Sequence, residues 1–358
     1  MSNQKSSLLT ATESPNPELD SETRQQSTSS GFEPKTKIQT AIDAVIKAMQ
    51  LCEQVQAEMV STDAIQKADR SPVTVADFGS QALICKAIGD AFPDDVIVAE
   101  ESAQALKENA SLLERVTGYV NRFCKDAPPS AETVCEWIDQ GSGEVGQNFW
   151  TLDPIDGTKG FLRRDQYAIA LAHIINGAVQ LGVLGCPNLP YRLNDEDAER
   201  GSLFVAIRGE GTRLYTKAGD FIEQVHVSET VHRFAESVES THGDSDAHSS
   251  IANALGITES PVRMDSQAKY GIVSCGEASL YIRLPNPDYP DYRECIWDHA
   301  AGLIVVEEAG GTVTDANGIP LNFLTGKRML ENRGIVATNG KFHQQVLMAV
   351  SSQQSAVG

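Results

Sequence analysis

The chain has 358 residues, 41% of them hydrophobic, which is enough apolar material for one large globular core or two modest ones. Its 29 Lys and Arg against 49 Asp and Glu leave a formal charge of −20, a field that repels nucleic-acid backbones and anionic membrane surfaces, so neither is an expected partner. Seven scattered cysteines without a C-x-x-C pair describe reduced thiols rather than a disulfide framework, and no apolar run is long enough to read as a transmembrane helix.

Residues 1–33 are rich in Ser, Thr, Gln and Glu, carry Glu13, Glu18, Asp20 and Glu22, and lack the apolar centre of a secretory signal, so they read as a disordered tail. A cytoplasmic setting and a monomer are expected. Organellar import stays open, because acidic residues count only mildly against a transit peptide. From Lys35 to Met59 the apolar residues Ile38, Ile42, Val45, Ile46, Met49, Cys52 and Val55 recur at helical spacing. Ser71 to Phe92 reads as a loop entering a second helix, and Asp94 to Ala99 as a short buried strand ending at Glu100. Residues 102–146 are polar and locally helical, with a turn at Pro128-Pro129, and read as a surface excursion.

Phe149 to Leu152 is a strand running into Asp153. The apolar runs Tyr167–Ile175 and Ala178–Leu184 flank Asn176-Gly177, a pair suited to a type I′ hairpin because both positions tolerate positive φ. A second hairpin is expected from Leu203–Ile207 through Gly209 and Gly211 to Leu214-Tyr215. Beyond it come a short strand near Phe234, a helix near His248–Leu255, an apolar stretch at Ile272–Cys275, and a helix over Trp297–Ala309 stopped by Gly310-Gly311. The pattern divides the chain into an α+β part, 34–220, an α/β part, 221–350, and a tail, 351–358.

Asp153-Pro154-Ile155-Asp156-Gly157-Thr158 carries the most chemistry. On a straight strand, Cα atoms three residues apart lie about 10 Å apart, too far for two carboxylates to share an ion. A tight strand-to-turn reversal, with φ fixed at Pro154 and freed at Gly157, would aim Asp153, Asp156 and the Ile155 carbonyl at one point. Hard cations such as Mg²⁺ take oxygen ligands of this kind. Alone, the block reads more readily as an acidic surface turn. Glu100-Glu101 at a strand end, Asp77 in the first turn of a helix and Asp298 in the first turn of another are each ordinary where they stand, the last two as complements to a helix dipole.

Taken together, the D-P-I-D-G-T block, the strand-terminal Glu pair and the W-D-H-A-A-G block at 297–302 resemble the three signatures of the inositol-monophosphatase superfamily, in order and over about Lys35 to Val346. The resemblance implies a layered αβαβα sandwich, a magnesium-dependent phosphatase holding roughly two to three ions, and inhibition by Li⁺. It implies Glu100, Asp153, the Ile155 carbonyl, Asp156 and Asp298 as metal ligands, and Asp77, Glu100 and Thr158 as the catalytic groups that handle the attacking water. Backbone N–H groups after Gly157 could hold phosphate oxygens.

The segments Thr158-Lys159-Gly160-Phe161-Leu162-Arg163, Asp265 to Tyr270, Tyr281 to Pro285 and Ile296 to Gly302 resemble the bisphosphate-nucleotidase branch of the superfamily. That branch implies a small nucleotide substrate, 3′-phosphoadenosine 5′-phosphate or its sulfated analogue, held by Thr158, His242, Ser266, Lys269, Arg283 and Asp298. Lys269 and Arg283 suit a 5′-phosphate lying away from the metals. The run His242-Gly243-Asp244-Ser245-Asp246 departs from the branch pattern by its two acids. Rival readings are a phosphatase for inositol monophosphate and a non-catalytic sensor. A third, a dinucleotide enzyme, rests on Gly141-Ser142-Gly143-Glu144-Val145-Gly146, but that block precedes a strand instead of following one and reads as a flexible loop.

Overall fold

The computed structural model describes residues 34–58, 65–66, 72–73, 75–195, 197–238, 245–286, 288–289 and 291–357. The first half comprises α1 (Pro34–Glu58), a short pair β1 (Ile65–Gln66) and β2 (Pro72–Val73), α2 (Val75–Ala91), β3 (Val96–Ala99), α3 (Gln104–Lys107), α4 (Ala110–Phe123) and α5 (Ala131–Asp139). It continues with β4 (Asn148–Asp156), α6 (Thr158–Arg163), β5 (Ala168–Ile175), β6 (Ala178–Pro190), β7 (Arg200–Ile207), β8 (Gly211–Tyr215) and β9 (Phe221–Val225). The second half holds β10 (Phe234–Glu236), α7 (Ser245–Leu255), β11 (Val262–Arg263), α8 (Ala268–Ser274), β12 (Leu280–Arg283), α9 (Ala300–Glu307), β13 (Thr312–Thr314), β14 (Ile335–Thr338) and α10 (His343–Val357).

β3 to β9 form one seven-stranded sheet in sequence order, and β10 to β14 a five-stranded sheet in the order β11-β10-β12-β14-β13. α1 and α2 cover the outer face of the first sheet, α8 and α9 lie between the sheets, and α7 and α10 back the second. The result is the expected αβαβα sandwich. Alternation along β5 shows how the residues specify it: Ile169 and Leu171 enter the core under α1 and α2, while Ala168, Ala170 and Ala172 face the central helices. Both faces are covered, so these strands read as unbroken apolar runs. At the β5–β6 turn Asn176 (φ 52°) and Gly177 (φ 79°) take the two left-handed positions a type I′ hairpin requires.

Several expectations change. Residues 104–139 are no surface excursion: Leu112, Val116 and Val120 of α4 and Val134, Cys135 and Ile138 of α5 are buried against α2, an apolar stripe that the polar average of the segment hides. β9 closes the first sheet, so the change of sheet falls between Val225 and Phe234 rather than at residue 220. The apolar stretch near Ile272 is helical, and α10 runs on through Val357 where a tail is expected. Gly141–Gly146 does precede β4, but it is fastened instead of loose: Gly143 N–H donates to the Ile97 carbonyl (2.9 Å) and Ser142 bridges Val98.

Candidate active site

Two strand ends and the start of a buried helix meet at the site. β3 runs parallel to β4 with Ala99 opposite Leu152, which sets Glu100 beside Asp153, and Glu100 N–H donates to the Leu152 carbonyl (3.2 Å). α2 is locked to both. Gln81 clamps the backbone of Glu101 through both ends of its amide (2.7 and 3.0 Å), and Ser80 Oγ donates to the Pro154 carbonyl (3.0 Å). Asp77 stands one turn before Gln81 on that helix and is fully buried.

The Asp-Pro-Ile-Asp segment converges by a different device from the one its sequence suggests. β4 continues as strand through Asp156, with no reversal at Pro154. Asp153 pairs with Ala170 and Asp156 with Ala168, so three steps on β4 face two on β5. On a regular strand residues three apart point to opposite faces, and one inserted residue brings them to the same face. The bulge also accommodates a proline within a sheet. The chain then turns at Gly157 (φ 85°), where a Cβ would lie 2.9 Å from the Ser266 Cβ, and Thr158 Oγ1 donates back to the Ile155 carbonyl (3.3 Å).

The other wall comes from the second half of the chain. Ser266 holds an uncommon positive φ of 70° for a non-glycine residue, and the backbone N–H of Gln267 thereby donates to Asp156 Oδ2. The Gln267 amide meanwhile bonds the Trp297 carbonyl (2.9 Å) and receives Gly302 N–H (3.0 Å), tying Asp156 to the 3-10 turn Ile296–Asp298 that carries Asp298. Asp298 Oδ2 accepts from Cys295 N–H (3.0 Å). Arg163 pairs with Asp265 and fastens α6 to the segment that precedes Ser266 and Gln267. These parts enclose a cavity of about 220 Å³ whose lining carries the carboxylates Glu100, Asp153, Asp156 and Asp298 together with the cations Lys269 and Arg283.

Burial and mutual repulsion dominate the electrostatics. Asp153 is held well above the ordinary carboxylate range by burial, then by Glu100, Asp156, Asp298 and Asp77. Asp298 is raised by burial and then by Glu294. Asp156 is raised to about 6, mainly by burial, with Lys269, the Gln267 N–H and Arg283 opposing. Burial drives Lys269 down to about 8, while its ammonium bonds the Met264 carbonyl (3.2 Å) and stands 5.1 Å over the Tyr281 ring. Arg283 is fixed by Glu294, Nε to Oε1 at 2.8 Å.

The inositol monophosphatase family matches residues 33–356. The chain belongs to that family. A 3′(2′),5′-bisphosphate nucleotidase of Schizosaccharomyces pombe is 41% identical over 338 residues, covering 88% of this chain and 95% of that protein. An Oryza sativa protein of the same name is 42% identical over 336 residues, covering 88% and 93%. Among solved structures the Thermotoga maritima IMPase superposes with a TM-score of 0.61 at 22% identity, covering 90% of this chain and all of that one, which establishes the fold.

Members of this family generally depend on Mg²⁺, and the donor set here fits such an ion. Its oxygens are hard, and its carboxyls resist ionising together until a cation joins them. Of the residues singled out from sequence, Glu100, Asp153, Ile155, Asp156, Thr158, Ser266, Lys269, Arg283 and Asp298 all line the cavity. Asp77 lies behind it, close enough for its charge to act on Asp153. His242 lies outside the described residues. Sequence reasoning passed over Gln267 and Glu294. Gln267 sits in a block already singled out, and the left-handed Ser266 before it has no sequence signal. Glu294, Asp298 and His299 bring ligand atoms within 4.8 Å of one another, a grouping that only the fold creates. Among the described residues no helix is long and apolar enough to cross a membrane.

Proposed function

We propose that this protein is a magnesium-dependent 3′(2′),5′-bisphosphate nucleotidase that hydrolyses 3′-phosphoadenosine 5′-phosphate to AMP and phosphate, and also accepts the 5′-phosphosulfate form. The observation that carries the reading is that one cavity is lined both by four carboxylates and by two cations, the buried Lys269 and the half-buried Arg283. A monophosphate needs only the carboxylates. The names of the relatives at about 40% identity point the same way.

Glu100, Asp153, Asp156, Asp298 and the Ile155 carbonyl would hold the metal, roughly two to three ions. When bound, these ions supply the positive charge that admits a phosphate to an acidic cluster and offsets charge on the attacking and leaving oxygens. Thr158, fixed by its bond to the Ile155 carbonyl, orients the attacking water, and Asp77 with Glu100 receives its proton. Lys269, Ser266 and Arg283, with His242, bind the nucleotide beyond the scissile group. Lys269 and Arg283 are charged donors in a low-dielectric wall, where a phosphate contact is strong. The protein is taken as a cytoplasmic monomer with a small-molecule substrate, acting on neither nucleic acid nor membrane, and inhibited by Li⁺.

Product analysis tests the regiochemistry. Incubation of the bisphosphate with Mg²⁺ should yield AMP as the nucleoside product. Adenosine 3′-phosphate as product would mean that the 5′-phosphate is the one hydrolysed and would contradict the reading.

A further inference from the structure

Arg283 is one member of a closed ring of side chains. Its Nε meets Glu294 Oε1 at 2.8 Å, and the other oxygen of Glu294 lies 3.5 Å from His299 Nε2. His299 Nδ1 is 2.8 Å from the Tyr270 hydroxyl, and Tyr270 packs edge-on to Tyr281 with ring centroids 5.2 Å apart. The charge of Arg283 in turn acts on the Tyr281 hydroxyl, which closes the ring. Four of these five, Arg283, His299, Tyr270 and Tyr281, line the catalytic cavity. Glu294 does not. It faces a second cavity, also about 220 Å³, on the far side of Arg283, and Arg283 and Tyr292 line both.

An arginine in a wall between two cavities has two places to put its guanidinium, and its long side chain has the rotamer freedom to use either. The contact through Nε fixes the side chain with one of its five N–H donors, and the two Nη groups carry the other four, which suit the bidentate grip a phosphate takes. Glu294 can act as such an anchor because its own place is fixed. It is only 9% exposed, its carbonyl accepts from Met329 N–H (3.0 Å), and the next residue, Cys295, bridges Arg328.

We propose that Glu294 is a positioning residue for the 5′-phosphate: it holds Arg283 from behind, aims the guanidinium into the nucleotide cavity and keeps it out of the neighbouring one. This rests on the reading, given above, that Arg283 receives the 5′-phosphate. Glu294 itself touches no substrate.

The test compares 3′-phosphoadenosine 5′-phosphate with adenosine 3′-phosphate on wild type, Glu294→Ala, Arg283→Ala and the double variant, with Mg²⁺ titrated for each. Glu294→Ala should raise KM for the bisphosphate by roughly tenfold or more and leave its kcat within about threefold, as expected for loss of an aimed charge-assisted contact. The ratio of kcat/KM between the two substrates should fall with it. In the double variant that ratio should fall no further than in Arg283→Ala, since the two residues act as one unit. Equal losses on both substrates, or a shifted Mg²⁺ requirement, would overturn positioning in favour of a structural or metal-holding role for the group formed with Asp298 and His299. If Glu294→Ala loses its fold, Glu294→Gln takes its place with a smaller fall in the ratio, about threefold, and an unchanged ratio there overturns the proposal. Should Arg283→Ala itself leave the ratio unchanged, the 5′-phosphate reading of Arg283 fails, and the role of Glu294 fails with it. An Arg283→Ala effect without a Glu294 effect removes only the positioning role.

Discussion

Two sets of charges line the catalytic cavity, and they follow different rules. In the carboxylate set Asp156 raises both Asp153 and Asp298, Glu100 raises all three, and the protein's own cations offset this only in part. In the basic set Arg283 has Glu294 as its partner, and Lys269 has the Met264 carbonyl and the Tyr281 ring. One set is completed by ions from solution, the other by the fold. It follows that rate should reside in the first and choice of substrate in the second, because the carboxylate set treats the scissile phosphate of any monoester alike.

Removing one carboxylate gives the largest expected effect. Asp298→Asn should lower kcat at least 10- to 100-fold, the loss typical of altered metal surroundings, and equally on a bisphosphate and a monophosphate. The circular dichroism of the folded protein should be kept. A variant within twofold of wild type would take Asp298 out of the metal site.

In the basic set, Lys269→Ala should act unequally. Deleting one charged hydrogen bond, about 1.5 to 3 kcal/mol, should cost the bisphosphate roughly 10- to 100-fold more in kcat/KM than adenosine 3′-phosphate. Equal fractional losses would erase the distinction between the two sets.

Much of the carboxylate set is legible in sequence, because Asp153, Asp156 and Gly157 are neighbours in the chain. Their convergence is not. It depends on a bulge defined by which residues of β5 pair with β4, and no local propensity of Pro154 reveals the register. The basic set is less legible still. Lys269 and Arg283 look like surface cations until α8 buries the first and β12 half-buries the second, and Glu294 acquires its meaning only from a strand eleven residues earlier. In the same way the buried stripes of α4 and α5 are diluted by polar residues, whereas the continuous apolar runs of β5 to β7 are read easily because both faces of the sheet are covered.

A stability measurement sharpens the comparison further. Burial and its neighbours raise the Asp153 carboxyl in the folded state, so in metal-free protein it opposes folding at every pH above its unfolded value of about 3.8, and the penalty disappears below that. Asp153→Asn should therefore stabilise the metal-free protein at pH 7 by about 1 kcal/mol. The amide oxygen can still accept the Ile155 N–H that Asp153 Oδ1 takes at 3.1 Å. The same variant should show a smaller rise in Tm on adding Mg²⁺ than wild type does. A less stable metal-free variant would mean that the carboxylates are already compensated by the chain.

The smallest effect is expected from pH. Lys269 titrates near 8 in the free protein, so its pull on a 5′-phosphate is complete below pH 8 and lost as pH rises through it. The ratio of kcat/KM for the bisphosphate over adenosine 3′-phosphate should decline severalfold across that range, and Lys269→Arg, which stays charged, should flatten the decline. A ratio independent of pH would assign the discrimination elsewhere.

The central claim, that the basic residues completed by the fold choose the substrate, is tested most directly by kcat/KM for 3′-phosphoadenosine 5′-phosphate and for inositol 1-phosphate, measured by phosphate release from the full chain in Mg²⁺. Contacts from Lys269 and Arg283 predict a preference for the bisphosphate of roughly two to four decades. Equal turnover of the two, or a preference for inositol 1-phosphate, would contradict it.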